Sequence, residues 1–110
     1  MDLSKIQEIQ NQFILERKWE RFNATQVFSH LIEELGEIVS YFLYEEKYKV
    51  KGAGHEGPEE NIAMEFAQAF NLFLQLAIHA DVDLETAWKD ELDRNKERFD
   101  PKIWKKLAND

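Results

Sequence analysis

Residues 59–80 read EENIAMEFAQAFNLFLQLAIHA, and between residues 66 and 78 almost every position is apolar. A helix that is apolar nearly all round belongs in a protein interior, so this stretch predicts a central, buried helix. Its polar side chains share one face at about 100° per residue: Glu65, Gln68, Gln75 and His79, with Asn71 at the margin.

Apolar residues also recur at three- and four-residue steps on both sides of this stretch, which predicts further helices. These cover residues 4–20, 25–46 and 84–98, followed by a short helical turn at 102–107. Candidate N-caps are Asp2 or Ser4, Asn23 or Thr25, and Asp83. The pattern predicts an all-α fold, a bundle of four to five helices.

The connection before the central helix is predicted to be a loop. Residues 51–58 hold three of the four glycines and one of the two prolines. Pro58 suits the first position of the third helix, where Glu59 and Glu60 would lie against the positive end of the helix dipole.

Length and composition narrow the class of protein. Residues 1–110 predict a single domain with its core at about 4–99 and a short C-terminal helical turn at 100–110. The absence of Cys excludes disulfides, thiolate metal sites and cysteine catalysis. Since the net charge is −8, duplex nucleic acid is not an expected partner.

The same features predict a cytoplasmic protein that assembles with itself. No stretch reaches about 18 apolar residues, and the first residues lack a signal-peptide pattern, so no membrane association is expected. The first three helices offer more apolar surface than one small bundle can cover. A homodimer or homotetramer is therefore expected.

The second helix carries a polar stripe within apolar surroundings. The stripe consists of Gln26, His30, Glu34, Glu37, Tyr41 and Tyr44. If it faces the polar face of the third helix, its carboxylates and amides form an oxygen-rich seam that suits Mg²⁺. The alternative is that Glu34 and Glu37 point to solvent. Gly36, in the same helix, costs about 1 kcal/mol relative to Ala, and close approach by a neighbouring helix or a ligand would explain it.

The order of these residues resembles the MazG-like, all-α nucleoside triphosphate pyrophosphohydrolases. The run Glu33-Glu34-Leu35-Gly36-Glu37, followed by Glu65 on a later apolar helix, is similar to that family's E-E-x-x-E and E-x-x-D motifs. The run Glu16-Arg17-Lys18-Trp19, followed by Phe22, resembles the E-R-x-W-x-x-F element of its dCTP-pyrophosphatase-like branch. The likeness covers about residues 6–99.

The resemblance implies hydrolysis of a nucleoside triphosphate, ribo or deoxyribo, to the monophosphate and pyrophosphate, by a water that a bound metal polarises. It implies Mg²⁺, or Mn²⁺ in its place, held by Glu34, Glu37 and Glu65, with Glu33 as an additional acid for catalysis alongside Glu34. It further implies that Asn95 and Arg98 lie near the phosphates. Trp19 and Phe22 match the side of the pocket that receives the base.

The sequence departs from the family pattern at two positions. Gln68 replaces the Asp that serves as the last metal ligand, and Glu91 replaces a Lys on the substrate side. We hypothesise that the two changes are linked, either because Glu91 supplies the lost carboxylate or because a phosphate clamp is absent. They favour one alternative, a non-catalytic relative that binds a nucleotide or a partner. A second alternative is a helical oligomerisation module.

Overall fold

The computed structural model describes residues 1–58 and 61–109, and within them it contains five α-helices and no strand. The helices are α1 (Leu3–Glu16), α2 (Ala24–Glu45), α3 (Ile62–His79), α4 (Leu84–Arg98) and α5 (Pro101–Asn109), with a 3-10 turn at Trp19–Arg21. The predicted all-α class is confirmed.

Side chains that cap helix starts explain most of the observed boundaries. Asp2 accepts a hydrogen bond from the Lys5 amide at the start of α1. Asn23 and Gln26 form a capping box that begins α2. Asp83 accepts from two amides of the first turn of α4, as the sequence predicts. These caps satisfy amides that lack partners within their helices.

Two predicted boundaries are wrong. The first helix ends at Glu16 rather than at residue 20, because Lys18 adopts a left-handed backbone (φ 57°) and the 3-10 turn follows. The third helix begins after Asn61, whose side chain accepts from the Met64 amide, so Pro58 is not its first residue. The positions predicted for Glu59 and Glu60 lie outside the described residues.

The loop predicted at 51–58 is confirmed and is held to the end of α2. Gly52, Gly54 and Gly57 all have positive φ angles, which side chains with a Cβ rarely adopt. The Gly57 amide donates to the Tyr44 hydroxyl at 2.9 Å. This hydrogen bond holds the end of the loop against the C-terminal part of α2.

The helices pack around α3, which contacts both α2 and α1. Residues of the first half of α2 and the second half of α3 line the same cavity, so these two helices run antiparallel. The small core consists of Ile14, Val27, Leu31, Ala69, Leu74 and Ala77. The central place of α3 is confirmed, but its predicted burial is wrong for Phe66, Phe70 and Phe73, which are about half exposed.

A glutamine on α1 joins this helix to the turn between α3 and α4. The Gln7 side chain donates to the Val82 carbonyl at 2.8 Å and accepts from the Leu84 amide at 3.1 Å. Nearby, the Ser4 amide donates to the Glu85 carboxylate at 3.3 Å. These bonds fix α1 across the end of α3.

The chain is extended for its length. Its radius of gyration is 18.4 Å, whereas a compact chain of this length has about 13 Å. Every described residue of α5 is exposed. No helix in the described part of the chain is both long and apolar enough to span a membrane.

Replacing Leu74 with Ala tests the core, because this side chain is 0% exposed. We expect Leu74→Ala to lower the free energy of unfolding by about 2–5 kcal/mol through lost burial and a residual cavity. The matched control is Leu107→Ala on exposed α5, for which we expect a change within about 0.5 kcal/mol. Urea denaturation followed by circular dichroism measures both, and equal losses would contradict this core.

Candidate functional site

A groove lies where α1, the 3-10 turn, α2 and α3 meet. It comprises two adjoining cavities of about 560 and 460 Å³. The larger is lined by Gln10, Phe13, Trp19, His30, Glu34, Gln68, Asn71, Leu72 and Gln75. The smaller shares four of these residues and adds Phe22, Gln26 and Val27. Because four residues line both cavities, the two adjoin, and we refer to them together as the groove.

The polar wall of the groove comes from the facing stripes of α2 and α3. Glu34 is the one carboxylate among the lining residues, and its side chain is 18% exposed. Its Oε1 lies 3.4 Å from Nε2 of His30, one turn earlier on α2. Opposite them, α3 contributes three side-chain amides, those of Gln68, Asn71 and Gln75. The wall therefore offers one negative charge and several neutral donors and acceptors.

The aromatic end of the groove is built by the 3-10 turn. Trp19 packs edge to face on Phe13 with ring centroids 5.5 Å apart. Gln75 is 6% exposed, and its Nε2 donates to the Trp19 carbonyl at 3.4 Å. The left-handed Lys18 turns the chain so that Trp19 and Phe22 both reach the groove.

Two arginine side chains lie beside this aromatic end. The Arg17 guanidinium lies 3.5 Å from the Phe13 ring centroid, and that of Arg21 lies 4.3 Å from the Phe22 ring centroid. Cation–π attraction holds both groups, and each also donates to a backbone carbonyl, Arg17 to Phe13 and Arg21 to Lys18, while Arg17 is paired with Glu16 at 3.7 Å. They bring cations to the edge of a groove whose interior carries an acid.

Four residues predicted for the site lie together in the groove: Trp19, Phe22, Glu34 and Gln68. Glu65 lies one turn before Gln68 and is 6% exposed, within the packed part of α3. Glu33 and Glu37 are exposed and do not belong to either cavity lining. The structure thus brings together one acid and one amide of the predicted metal set.

The residues predicted on α4 lie away from the groove. Glu91 forms a 2.6 Å ion pair with Arg94 on its own helix. Arg98 lies over the Phe99 ring, and Asn95 is half-buried. None of the three predicted α4 residues lines either cavity, because α4 packs against α1. Glu91 therefore does not share the cavity that Gln68 lines.

Sequence reasoning did not assign Gln10 and Phe13, which line the groove, or Arg21, which lies beside it. Gln10 and Phe13 come from α1, whose docking no local pattern predicts. Phe13 belongs to the apolar repeat of α1 and reads as a core residue, although it is exposed at the groove. Arg21 stands at the aromatic end as well, and its only sequence signal is its position next to Phe22.

The donor set is suitable for magnesium only in part. No group of three or more His, Asp or Glu side chains within residues 1–58 and 61–109 is arranged to hold a metal ion. Glu34 and Gln68 nonetheless offer oxygen atoms from opposite walls of one cavity. Mg²⁺ commonly takes one or two protein oxygens and completes its coordination with water and substrate phosphates. Glu34 and Gln68 would therefore be the two protein ligands of an ion that takes its other ligands from water and a phosphorylated molecule.

Comparison with known proteins does not assign this chain to a family. No model of a protein family matches the chain, and a search of curated proteins finds no significant match. The order and spacing of the acidic and aromatic motifs remain the basis for the family resemblance.

Replacing Gln75 tests how the aromatic end is held. We expect Gln75→Ala to lower the free energy of unfolding by about 1–3 kcal/mol, because it removes a buried amide and its bond to the Trp19 carbonyl. Gln12→Ala, at an exposed position of α1, is the control and should have little effect. Urea denaturation measures the difference, and equal values for the two variants would exclude a tethering role for Gln75.

Proposed function

We propose that this chain is a Mg²⁺-dependent nucleoside triphosphate pyrophosphohydrolase with a MazG-like bundle, acting in the cytoplasm as a homodimer or homotetramer. The observation that carries the proposal is that Glu34 and Gln68, from facing helices, line one cavity together with Trp19. These three positions match a metal ligand, the last metal-ligand position and the base side of the family pattern.

The volume and the lining of the groove support binding of a nucleotide. Small-molecule sites typically measure about 300–1,000 Å³ and combine apolar walls with a few polar groups. Trp19 and Phe22 provide aromatic faces on which a base can stack. The Gln26 side chain lies beside them; its oxygen accepts from the Asn23 amide, and its Nε2 can donate to the edge of a base.

In this proposal, the phosphates of the nucleotide lie at the end of the groove that Glu34 lines. A magnesium ion bound with the triphosphate would neutralise phosphate charge and activate water. Glu34 and Gln68 would hold that ion from the two walls. His30, 3.4 Å from the Glu34 carboxylate, limits the positions that this carboxylate can take. At the opposite end, Arg21 beside Phe22 adds a positive charge that offsets part of the −8 charge of the chain for an approaching anion, whereas Arg17 is paired with Glu16.

A second candidate function is nucleotide binding without hydrolysis. It is favoured by the neutral Gln68 in place of a carboxylate and by the exposure of Glu33 and Glu37 outside the groove. With a single acid in the cavity, the metal would be bound less firmly and water would be activated less strongly. Both functions use the same groove and differ in whether pyrophosphate is released.

Glu34→Gln tests the hydrolase. The change keeps the shape of the side chain and removes its charge, so we expect pyrophosphate release to fall about 100-fold or more. The assay covers the common ribo- and deoxyribonucleoside triphosphates with Mg²⁺ and with Mn²⁺. The control is Glu97→Gln at an exposed position of α4, which should retain full activity. If Glu34→Gln were equally active, Glu34 would have no place in the reaction.

Gln68→Asp separates the two candidate functions. Restoring a carboxylate at this position is expected to raise metal affinity about tenfold or more and to increase turnover. Asn71→Asp adds the same charge to a neighbouring position of the same groove and serves as the control. Calorimetry with a non-hydrolysable triphosphate measures binding by the natural chain. If the natural chain binds this nucleotide but only Gln68→Asp releases pyrophosphate, the natural chain is a nucleotide-binding protein without hydrolase activity.

A further inference from the structure

The fifth helix separates its large apolar side chains from its charged ones. At about 100° per residue, each of the two sets falls within an arc of about 100°, and the two arcs lie on opposite sides of α5. The apolar side consists of Ile103, Trp104 and Leu107, which are 54% to 57% exposed. The charged side consists of Lys102, Lys105 and Lys106. α5 contains no Asp or Glu, so its charged side is purely basic.

Local signals begin α5 without contacts from the rest of the bundle. Pro101 occupies the first helical position, where its missing N–H has no cost. The Asp100 side chain accepts from the Lys102 amide at 2.9 Å, and the Asp100 carbonyl accepts from the Ile103 and Trp104 amides at 3.1 and 3.2 Å. The helix is therefore formed although every described residue of it is exposed. Because a helix of nine residues is marginal in water, contact along its apolar side would stabilise it.

Phe99 extends the apolar side at the junction between α4 and α5. Its ring centroid lies 6.2 Å from that of Trp104, and its side chain is 45% exposed. The Arg98 guanidinium lies 4.9 Å from the Phe99 ring centroid and adds a further cation beside the aromatic rings. Aromatic rings on one side and basic side chains on the other are typical of helices that lie between water and lipid.

Charge is distributed unevenly along the chain. Residues 94–110 contain six Lys and Arg and three Asp and Glu, whereas residues 1–93 contain eight and nineteen. The basic part of the chain therefore includes α5, and the acidic part includes α2 and α3. An anionic surface attracts the basic part and repels the acidic part. Such a surface would be met by α5 and not by the central helices.

The small size of α5 favours a lipid surface over a protein or a nucleic acid. A helix of nine residues is about 14 Å long and about 10 Å wide. Its face is far smaller than the roughly 800 Å² that each side of a standard protein interface covers. A nucleic acid backbone would pair with the lysines but would leave Ile103 and Leu107 in water. A bilayer requires no minimum area and takes up both sides of the helix.

We propose that α5 lies along the surface of an anionic lipid bilayer. Ile103, Trp104 and Leu107 enter the boundary of the acyl chains, and the lysines remain at the headgroup phosphates. The expectation of no membrane association rests on spans and signal peptides, and a helix that lies along the surface needs neither. Because few apolar side chains are buried, the attachment is reversible. α5 lines neither cavity of the groove, and this inference does not depend on the proposed function.

The experiment measures co-sedimentation of the full chain with sucrose-loaded vesicles. We expect the partition coefficient on vesicles of equal parts phosphatidylglycerol and phosphatidylcholine to exceed that on pure phosphatidylcholine about tenfold or more. It should fall as salt is added. Lys105→Gln combined with Lys106→Gln should lower it about tenfold or more, since each lysine near an anionic surface contributes about fivefold.

The matched control for the charge removes two lysines from other exposed positions. Lys47→Gln combined with Lys89→Gln gives the same net charge and should change the partition coefficient by no more than about twofold. Equal binding to neutral and anionic vesicles, no binding to either, or equal losses in the two double variants overturns the proposal.

A second measurement tests whether Trp104 enters the lipid. Brominated acyl chains quench the fluorescence of a tryptophan that contacts them. We expect anionic vesicles with such chains to quench the natural chain and Trp88→Phe, but to quench Trp104→Phe much less. Trp88 is the matched control, because it is 59% exposed on α4 and Trp104 is 55% exposed on α5. Equal quenching of the two variants, or none in the natural chain, overturns the proposal.

Discussion

The packing of α2 against α3 is the contact on which both surfaces of the molecule depend. Val27 and Leu31 of α2 and Ala69 of α3 are buried along this antiparallel pair. Because every residue advances a helix by about 100°, fixing these positions also determines which side chains point to each flank. One flank receives the amides and Glu34, and the other receives exposed aromatic and aliphatic side chains such as Phe28 and Phe66. A single contact thus separates a polar surface from an apolar one.

Much of the fold follows from local sequence. The bounds of α2 and α4 are predicted to within one residue, because Asn23 and Asp83 are effective caps and the apolar repeats between caps are regular. The end of α1 is not predicted correctly, because nothing in a run of good helix formers indicates that Lys18 adopts a left-handed backbone. The half-exposed position of Phe70 is not predictable either, because an apolar residue at the surface looks the same in sequence as one that faces the core.

The candidate site can be predicted from sequence where it depends on one pair of helices. The prediction fails where the site needs a third helix. Glu34 and Gln68 meet because their stripes face each other, which periodicity alone can indicate. Glu37 belongs to the same stripe but lies one turn beyond Glu34, the last α2 residue that lines the groove. Asn95 and Arg98 depend on the docking of α4, and this helix packs on α1 instead. Such long-range docking is not encoded in spacing.

The hydrogen bonds of Gln7 determine when, during synthesis and folding, α1 can reach its final position. Its two partners lie 75 and 77 residues further along the chain. During synthesis α1 is made before α2 and α3, yet these two hydrogen bonds cannot form until the turn at 82–84 has left the ribosome. The α2–α3 hairpin closes over a shorter loop and can form earlier. The groove needs α1 as a wall and is therefore complete only once α1 has docked on α3.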